Sequence, residues 1–339
     1  IIENLLIEIS EKLFSHKQIQ SKPFPRITWQ EAMESYGSDK PDIRFEMKII
    51  DVSDIAAKSQ FSVFTNAVQA GGVVKCLRIE KGLELSRKEI DDLTELAKIH
   101  GAKGLAYIQL AEEGPKSTLV KFFTPEEIQA FINRTGGKTG DILFFGADSF
   151  EVACNALGQV RLACAERFQL RDKNKLAYLW VYDFPLFEKD PVSGNLASAH
   201  HPFTAPKDDQ LDLLNQNPSK TIAKAYDIVV NGYEVGGGSI RIHNQELQKK
   251  IFDLLKISDI DAEARFGHIL EAFTYGAPPH GGLALGLERL LMIYQDEPNI
   301  REVMAFPKDQ KAKDLMLGAP SIMPKETTDE LSLEIKLKT

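Results

Sequence analysis

The period of apolar and polar positions changes several times along the chain, and each change marks an element. The first residues, IIENLLIEISEKLFSHK, set Ile2, Leu5, Leu6, Ile9 and Leu13 at helical spacing, which predicts an amphipathic helix. A loop rich in Pro and Lys (SKPFPR) follows, then a helix from about Thr28 to Met33 and the turn YGSDKPD at 36–42. That turn uses Gly37 and Pro41 for its bends, while Ser38 and Asp39 can cap local backbone groups. A strand-like run, FEMKIIDV, closes the first segment.

Residues 57–165 read as a self-contained α+β unit. Its strand candidates are FSVFTNAV, GGVVKCLRIE, GLAYIQL, STLVKFF and DILFFGA, rich in Val, Ile, Phe and Tyr. Ser86 with Glu89 forms a capping box that opens a helix ending near Gly101, and Thr124 with Pro125 opens a second. A third, at 149–164, leads out of the unit. From Leu176 the texture shifts to AYLWVYDFPLF, a hairpin DIVVNGYEVGGGSIRIH around Asn231-Gly232, and GGLALGLERLLMIY, a glycine-spaced strand running into a helix. Strands outnumber helices there without alternating with them. That predicts an antiparallel sheet and an α+β fold rather than a doubly wound one.

Composition narrows the class only slightly. The 339 residues suit two domains, or one with an insertion, and no apolar run is long enough to span a membrane. The start of the chain lacks the features of a signal peptide, and it opens inside a helical pattern without Met or cap, which we read as truncation. Cys76, Cys154 and Cys164 show no metal or disulfide spacing, so free thiols in the cytosol are expected. The net charge of −8 argues against a general nucleic-acid-coating protein but leaves a specific RNA contact open.

Candidate chemistry concentrates between Asp227 and Arg289. Asp227 and Glu234 flank the Asn-Gly turn on opposite arms of the hairpin, where two carboxylates suit a Mg²⁺ shared with substrate phosphates. Gly236, Gly237 and Gly238 open the next strand to a ligand, and alternation sets Ser239 and Arg241 on one face, Ile240 and Ile242 on the other. An Arg fork there recognises a carboxylate or phosphate. The bland alternative is a surface hairpin with solvated charges. Gly281, Gly282 and Gly286 keep a second strand open just before Arg289, which suits a purine or phosphate, or else an ion pair at a strand-to-helix junction. His200-His201 offers a substrate contact or, in the bland reading, one histidine in the core or in a loop hydrogen bond; on an extended strand the two rings point to opposite faces. TGGKTG at 135–140 is a turn, since the phosphate-loop pattern requires glycine where Ile132 stands.

Together these segments resemble the class II aminoacyl-tRNA synthetases and, within them, the bacterial-type aspartate enzymes. GLALGLER, 282–289, is similar to the third class motif, Gly-φ-Gly-φ-Glu-Arg, with Ala284 in place of its first Gly. YEVGGGSIRIH, HHPFTAPKD, YGSDKPD and WVYDFPLF resemble the aspartate branch closely, and HGAKGLAYI with FFGAD resembles the GAD insertion of the bacterial enzymes. The likeness covers essentially the whole chain. It implies a catalytic domain in two segments, 1–56 and 166–339, around a GAD-like insertion at 57–165. It implies that Arg241 clamps the carboxylate of L-aspartate with His200 against the amino-acid pocket, and that Asp227 and Glu234 hold Mg²⁺ on ATP. Arg289 lies against the adenine and triphosphate, with Gly286, Leu287 and Glu288 lining the nucleotide site. The reaction implied is aspartyl-adenylate formation and transfer to tRNA(Asp), by a homodimer with no membrane association.

Departures from the family pattern matter equally. The anticodon-reading OB domain, the first motif with its dimer interface, the loop that closes on aspartate, and the second motif with its phosphate-gripping Arg have no counterpart here. Little or no aminoacylation is expected from this polypeptide alone. A relaxed enzyme charging both tRNA(Asp) and tRNA(Asn), or a non-catalytic synthetase-like binding paralogue, are the alternatives.

Overall fold

The computed structural model describes residues 1–334 and 336. It divides into two compact units, Ile1–Gly286 and the chain from Leu287 onward.

Two five-stranded sheets dominate the first unit. One runs in the order Gly281–Leu285, Tyr233–Ile240, Ala225–Val230, Tyr178–Tyr182, Arg26–Thr28. Every neighbouring pair is antiparallel except the last, in which Arg26–Thr28 joins in parallel. The expected antiparallel sheet is therefore present, with one parallel edge. On one face Leu179, Val181, Ala225 and Val229 pack with Phe184, Leu186 and Ile251. The hairpin forms at Asn231-Gly232, where both residues adopt positive φ, 53° and 90°, as a tight turn matched to strand twist requires. The single run AYLWVYDFPLF breaks at Asp183 (φ 60°) into Tyr178–Tyr182 and Phe187–Lys189.

The second sheet runs Ile49–Asp51, Val73–Ile79, Ile142–Asp148, Ala106–Ala111, Gly114–Lys116, antiparallel throughout. Its central strands are apolar on both faces because helices cover both. Ile142 and Phe144 pack with Leu93 and Leu157, while Leu143 and Phe145 pack with Phe64 and Phe131. The sheet also takes in Ile49–Asp51, from the tail of FEMKIIDV, ahead of residue 57. Two strand expectations fail in this region. FSVFTNAV is a helix, Ser62–Gln69, and STLVKFF holds only a 3₁₀ turn, Val120–Phe122. In both, aromatic residues that suggested strands instead form one cluster: Phe61 meets Phe64, Phe122 and Phe123 with ring centroids 4.8–6.1 Å apart. Tertiary packing overrode the local preference.

Helix boundaries follow their caps. Arg87–Ile99 and Pro125–Thr135 both carry reciprocal capping boxes, from Ser86–Glu89 and Thr124–Glu127. Trp29–Tyr36 is capped by Thr28 and stops at Gly37 in the left-handed region. The exit helix Phe150–Arg167 starts on Ser149 and runs three residues past the expected Cys164. In the first helix, Ile2–Leu13, only Leu6 of the five expected apolar positions is buried; Leu5 and Leu13 are exposed. All three cysteines are free and buried, and burial pushes the Cys154 and Cys164 thiols up to about 11 and about 12. Among the described residues no helix is long and apolar enough to cross a membrane.

The second unit begins with the helix Leu287–Gln295, which buries Leu290, Met292, Ile293 and Tyr294, and ends with the short helix Lys325–Glu330.

Candidate active site

The hairpin Ala225–Val230/Tyr233–Ile240 carries the centre of the site. Val229 pairs with Glu234 but Ile228 with Gly236, so Val235 is an extra residue: a β-bulge. Without it, plain alternation would set Gly236 opposite Asp227. With it, Gly237 stands opposite Asp227, and Ser239 comes round to the carboxylate side. An added Cβ on Gly237 would lie 2.4 Å from Asp227 Oδ1 and 3.5 Å from Glu234 Oε1. The two carboxylates thus converge over the bare backbone of Gly237, in space only glycine leaves open. The neighbouring glycines serve the sheet itself: a Cβ on Gly238 would strike the Gly282 carbonyl oxygen at 1.9 Å.

Asp227 and Glu234 line a cleft of about 1190 Å³. His200 lines it too, its ring edge-on to Phe184 at 4.6 Å. Three further carboxylates, Asp39, Glu151 and Glu188, face the same cleft; among the described residues Lys189 is the cation on its wall, and the Lys40 charge also reaches Asp227. Asp227 is 7% exposed, and burial pushes its carboxyl up to about 7, with the nearby Glu234 and Asp39 charges adding to the rise. Burial also lowers the His200 imidazole; Glu234 and Asp39 oppose that shift and Arg241 adds to it.

Arg241 opens on a neighbouring hollow of about 430 Å³, shared with His201, Phe203, Phe273, His280 and Gly282. The Arg241 amide donates to the His280 carbonyl at 2.9 Å, and Ser239 beside it is buried against Thr204 at 3.2 Å. His200 and His201 therefore line different cavities. The segment is a bend rather than a strand, however, and the His201 ring accepts the Phe203 amide at 3.1 Å. The expected partnership of His200 with Arg241 is split between two adjacent hollows.

Gly286 closes the open strand, donating its amide to the Val235 carbonyl at 2.8 Å, so it meets the bulge directly. Leu287, Glu288 and Arg289 occupy the first turn of helix Leu287–Gln295 in the second unit, all three exposed. In the sequence Asp39 reads as a backbone cap in a turn; the structure sets it, together with Glu151 of the exit helix, on the cleft wall. The only signal was the acidic, glycine-started turn itself, and nothing local says which way such a turn faces.

The donor set suits a hard divalent cation. Two carboxylates converge from one face, and among the described residues no group of three or more His, Cys, Asp or Glu has metal-holding geometry. Mg²⁺ binds in this way, taking one or two carboxylates and completing its shell with phosphates and water.

Comparison with known proteins gives the family. The family model for class II tRNA synthetases (D, K and N) matches residues 1–310. An aspartate–tRNA(Asp/Asn) ligase of Heliobacterium modesticaldum is 46% identical over 339 aligned residues, covering 98% of this chain and 56% of the relative. One of the same name from Rubrobacter xylanophilus is 47% identical over 337, covering 99% and 56%. An aspartate–tRNA ligase of Shouchella clausii is 47% identical over 328, covering 96% and 56%. The chain spans about half the length of these curated relatives. With its family model matched over most of its length, its mixed α/β content and its antiparallel sheet, the chain belongs to the class II tRNA synthetases of the D, K and N group.

Proposed function

We propose that this chain carries the Mg²⁺·ATP and aspartate part of an aspartate–tRNA ligase site. The observation that carries the reading is the convergence of Asp227 and Glu234 over Gly237 inside an acidic cleft. Such a cleft repels a bare nucleotide and admits one whose phosphates are already neutralised by a divalent cation. Asp227 and Glu234 would hold that cation, which when bound screens the phosphate charge. Arg241, in the next hollow, would pair its planar fork with the side-chain carboxylate of L-aspartate, and His200 would line the amino-acid side. The neutral amide of asparagine would leave that guanidinium unpaired, which disfavours it. Gly286 with Leu287, Glu288 and Arg289 is assigned to the nucleotide by sequence resemblance. The reaction is attack of the aspartate α-carboxylate on the α-phosphate, releasing pyrophosphate, then acyl transfer to tRNA(Asp) in a homodimer. Residues 57–165, extended back to Ile49 by the second sheet, are the GAD-like insertion in this reading.

Calorimetry of the chain with Mg²⁺·ATP tests it: wild type should bind, and Asp227→Asn and Glu234→Gln should each weaken binding. Binding of ATP unaffected by either change or by EDTA would sink it. A second reading, charging of both tRNA(Asp) and tRNA(Asn), is favoured by the names of the Heliobacterium and Rubrobacter relatives. Aminoacylation of both tRNAs by a full-length enzyme containing this chain separates the two.

A further inference from the structure

Arg161 is among the largest fully buried side chains, 1% exposed, and the proposed function does not use it. It lies on the exit helix Phe150–Arg167, which leads out of the second sheet. Its guanidinium reaches back across the sequence to one short segment. Nε donates to the Met47 carbonyl at 2.8 Å, and Nη2 points at the carbonyls of Asp42, Phe45 and Glu46 at 3.0, 3.1 and 3.2 Å. The same guanidinium is sandwiched between the Phe45 and Tyr36 rings, 4.0 and 5.0 Å from their centroids. Among the described residues no carboxylate forms an ion pair with it; main-chain carbonyls and aromatic faces surround it, and the nearby Asp42 charge favours its charged form. A buried cation held this way fixes the path of the backbone it binds.

The segment so held leads to the cleft. One turn earlier on the exit helix, Gly158 packs backbone-to-backbone on Gly37, where an added Cβ would come within 2.5 Å of the Gly37 carbonyl oxygen. From Gly37 the chain passes through Asp39, which lines the cleft, to Asp42, which is 2% exposed and gripped by Arg44 at 2.6 Å. The Asp42 Cβ lies 3.3 Å from the Cβ position of Gly232, at the tip of the hairpin that bears Asp227 and Glu234. The exit helix, the 36–47 segment and the hairpin tip are therefore stacked in series. The first two turns of the same helix add Glu151 and Asn155 to the cleft wall.

We propose that Arg161 is a positioning residue: by clamping residues 42–47 it sets Asp39 in the cleft and backs the carboxylate-bearing hairpin. It thus ties the second-sheet unit to the site. The placement argument stands without a ligand, but its effect on binding rests on the Mg²⁺·ATP reading, so two measurements are needed. Hydrogen exchange on the ligand-free chain is the first. Arg161→Lys, which keeps the charge but not the fork, should raise exchange at 37–47 and at the hairpin tip, leaving Ile142–Asp148 protected. Exchange unchanged at 37–47, or raised equally throughout the chain, overturns the proposal. Tyr36→Leu, which removes one face of the sandwich, should give the same regional pattern more mildly and stands in if the lysine variant does not fold.

The second measurement is a double-mutant cycle on Mg²⁺·ATP affinity. Arg161→Lys should weaken binding roughly 10-fold with Asp39 present and less than about 3-fold in the Asp39→Asn background, the coupling expected of linked residues. Equal losses in both backgrounds would reduce Arg161 to a general stabiliser. If wild type binds no Mg²⁺·ATP, the functional reading fails while the exchange experiment still decides the positioning role.

Discussion

Replacing Asp227 by Asn offers a quantitative test of the site without any catalytic assay. Asp227 is buried beside Glu234 and Asp39, and its carboxyl is raised from an ordinary 3.8 to about 7, first by burial and then by those neighbouring charges. At 1.36 kcal/mol per pKa decade, holding it ionised in the metal-free fold costs on the order of 4 kcal/mol. The sign follows from proton binding. Between about pH 4 and pH 7 the folded chain retains a proton that the unfolded chain has released, so the folded state loses stability as pH rises through that window. Above about pH 7 the full penalty is present. Asn has the same shape without the charge. In EDTA at about pH 8, Asp227→Asn should therefore be more stable than wild type by roughly 2–4 kcal/mol, read from urea midpoints at constant slope. The gap should shrink toward zero as pH falls to about 4. Saturating Mg²⁺·ATP should narrow or reverse it by stabilising wild type alone, by about 2.7 kcal/mol at a hundredfold excess over Kd. A variant less stable than wild type at about pH 8 in EDTA, or a gap that does not change with pH, would refute the reasoning.

Other consequences are checked more simply. Gly237→Ala puts a methyl 2.4 Å from Asp227 Oδ1; it should separate the carboxylates and abolish Mg²⁺·ATP binding, measured by calorimetry, while costing about 1–3 kcal/mol of stability. Gly158→Ala collides with main chain that no rotamer change relieves, so thermal unfolding should show a loss of roughly 3 kcal/mol or more. Ser86→Ala removes a capping box and should cost about 1 kcal/mol by denaturant unfolding, with ligand binding unchanged. The raised, buried thiols of Cys154 and Cys164 should resist alkylation in the folded chain and react only when urea unfolds it; labelling in native buffer is the contrary result.

Much of this protein was legible from its residues. Asn231-Gly232 can hardly be anything but a tight turn, and that turn alone brings Asp227 and Glu234 to one face, since both lie an even number of steps from paired positions. Ser86, Thr124 and Ser149 announce their helices because an N-cap satisfies amides within three residues of itself. These are short-range facts, and short-range sequence contains them. Phe61, Phe64, Phe122 and Phe123 misled because an aromatic residue satisfies a strand or a helix equally until its partners are known. The bulge at Val235 is likewise invisible locally, yet it sets Gly237 under the two carboxylates and turns Ser239 to their side. Only the fold could bring Asp39 and Glu151 to the cleft or place Arg161 around residues 42–47, more than a hundred positions away. The sequence by itself singled out the groups to which the proposed chemistry is assigned and the arms that carry them. Tertiary structure decided which cavity each faces, because a side chain's surroundings depend on contacts between segments that no local pattern encodes.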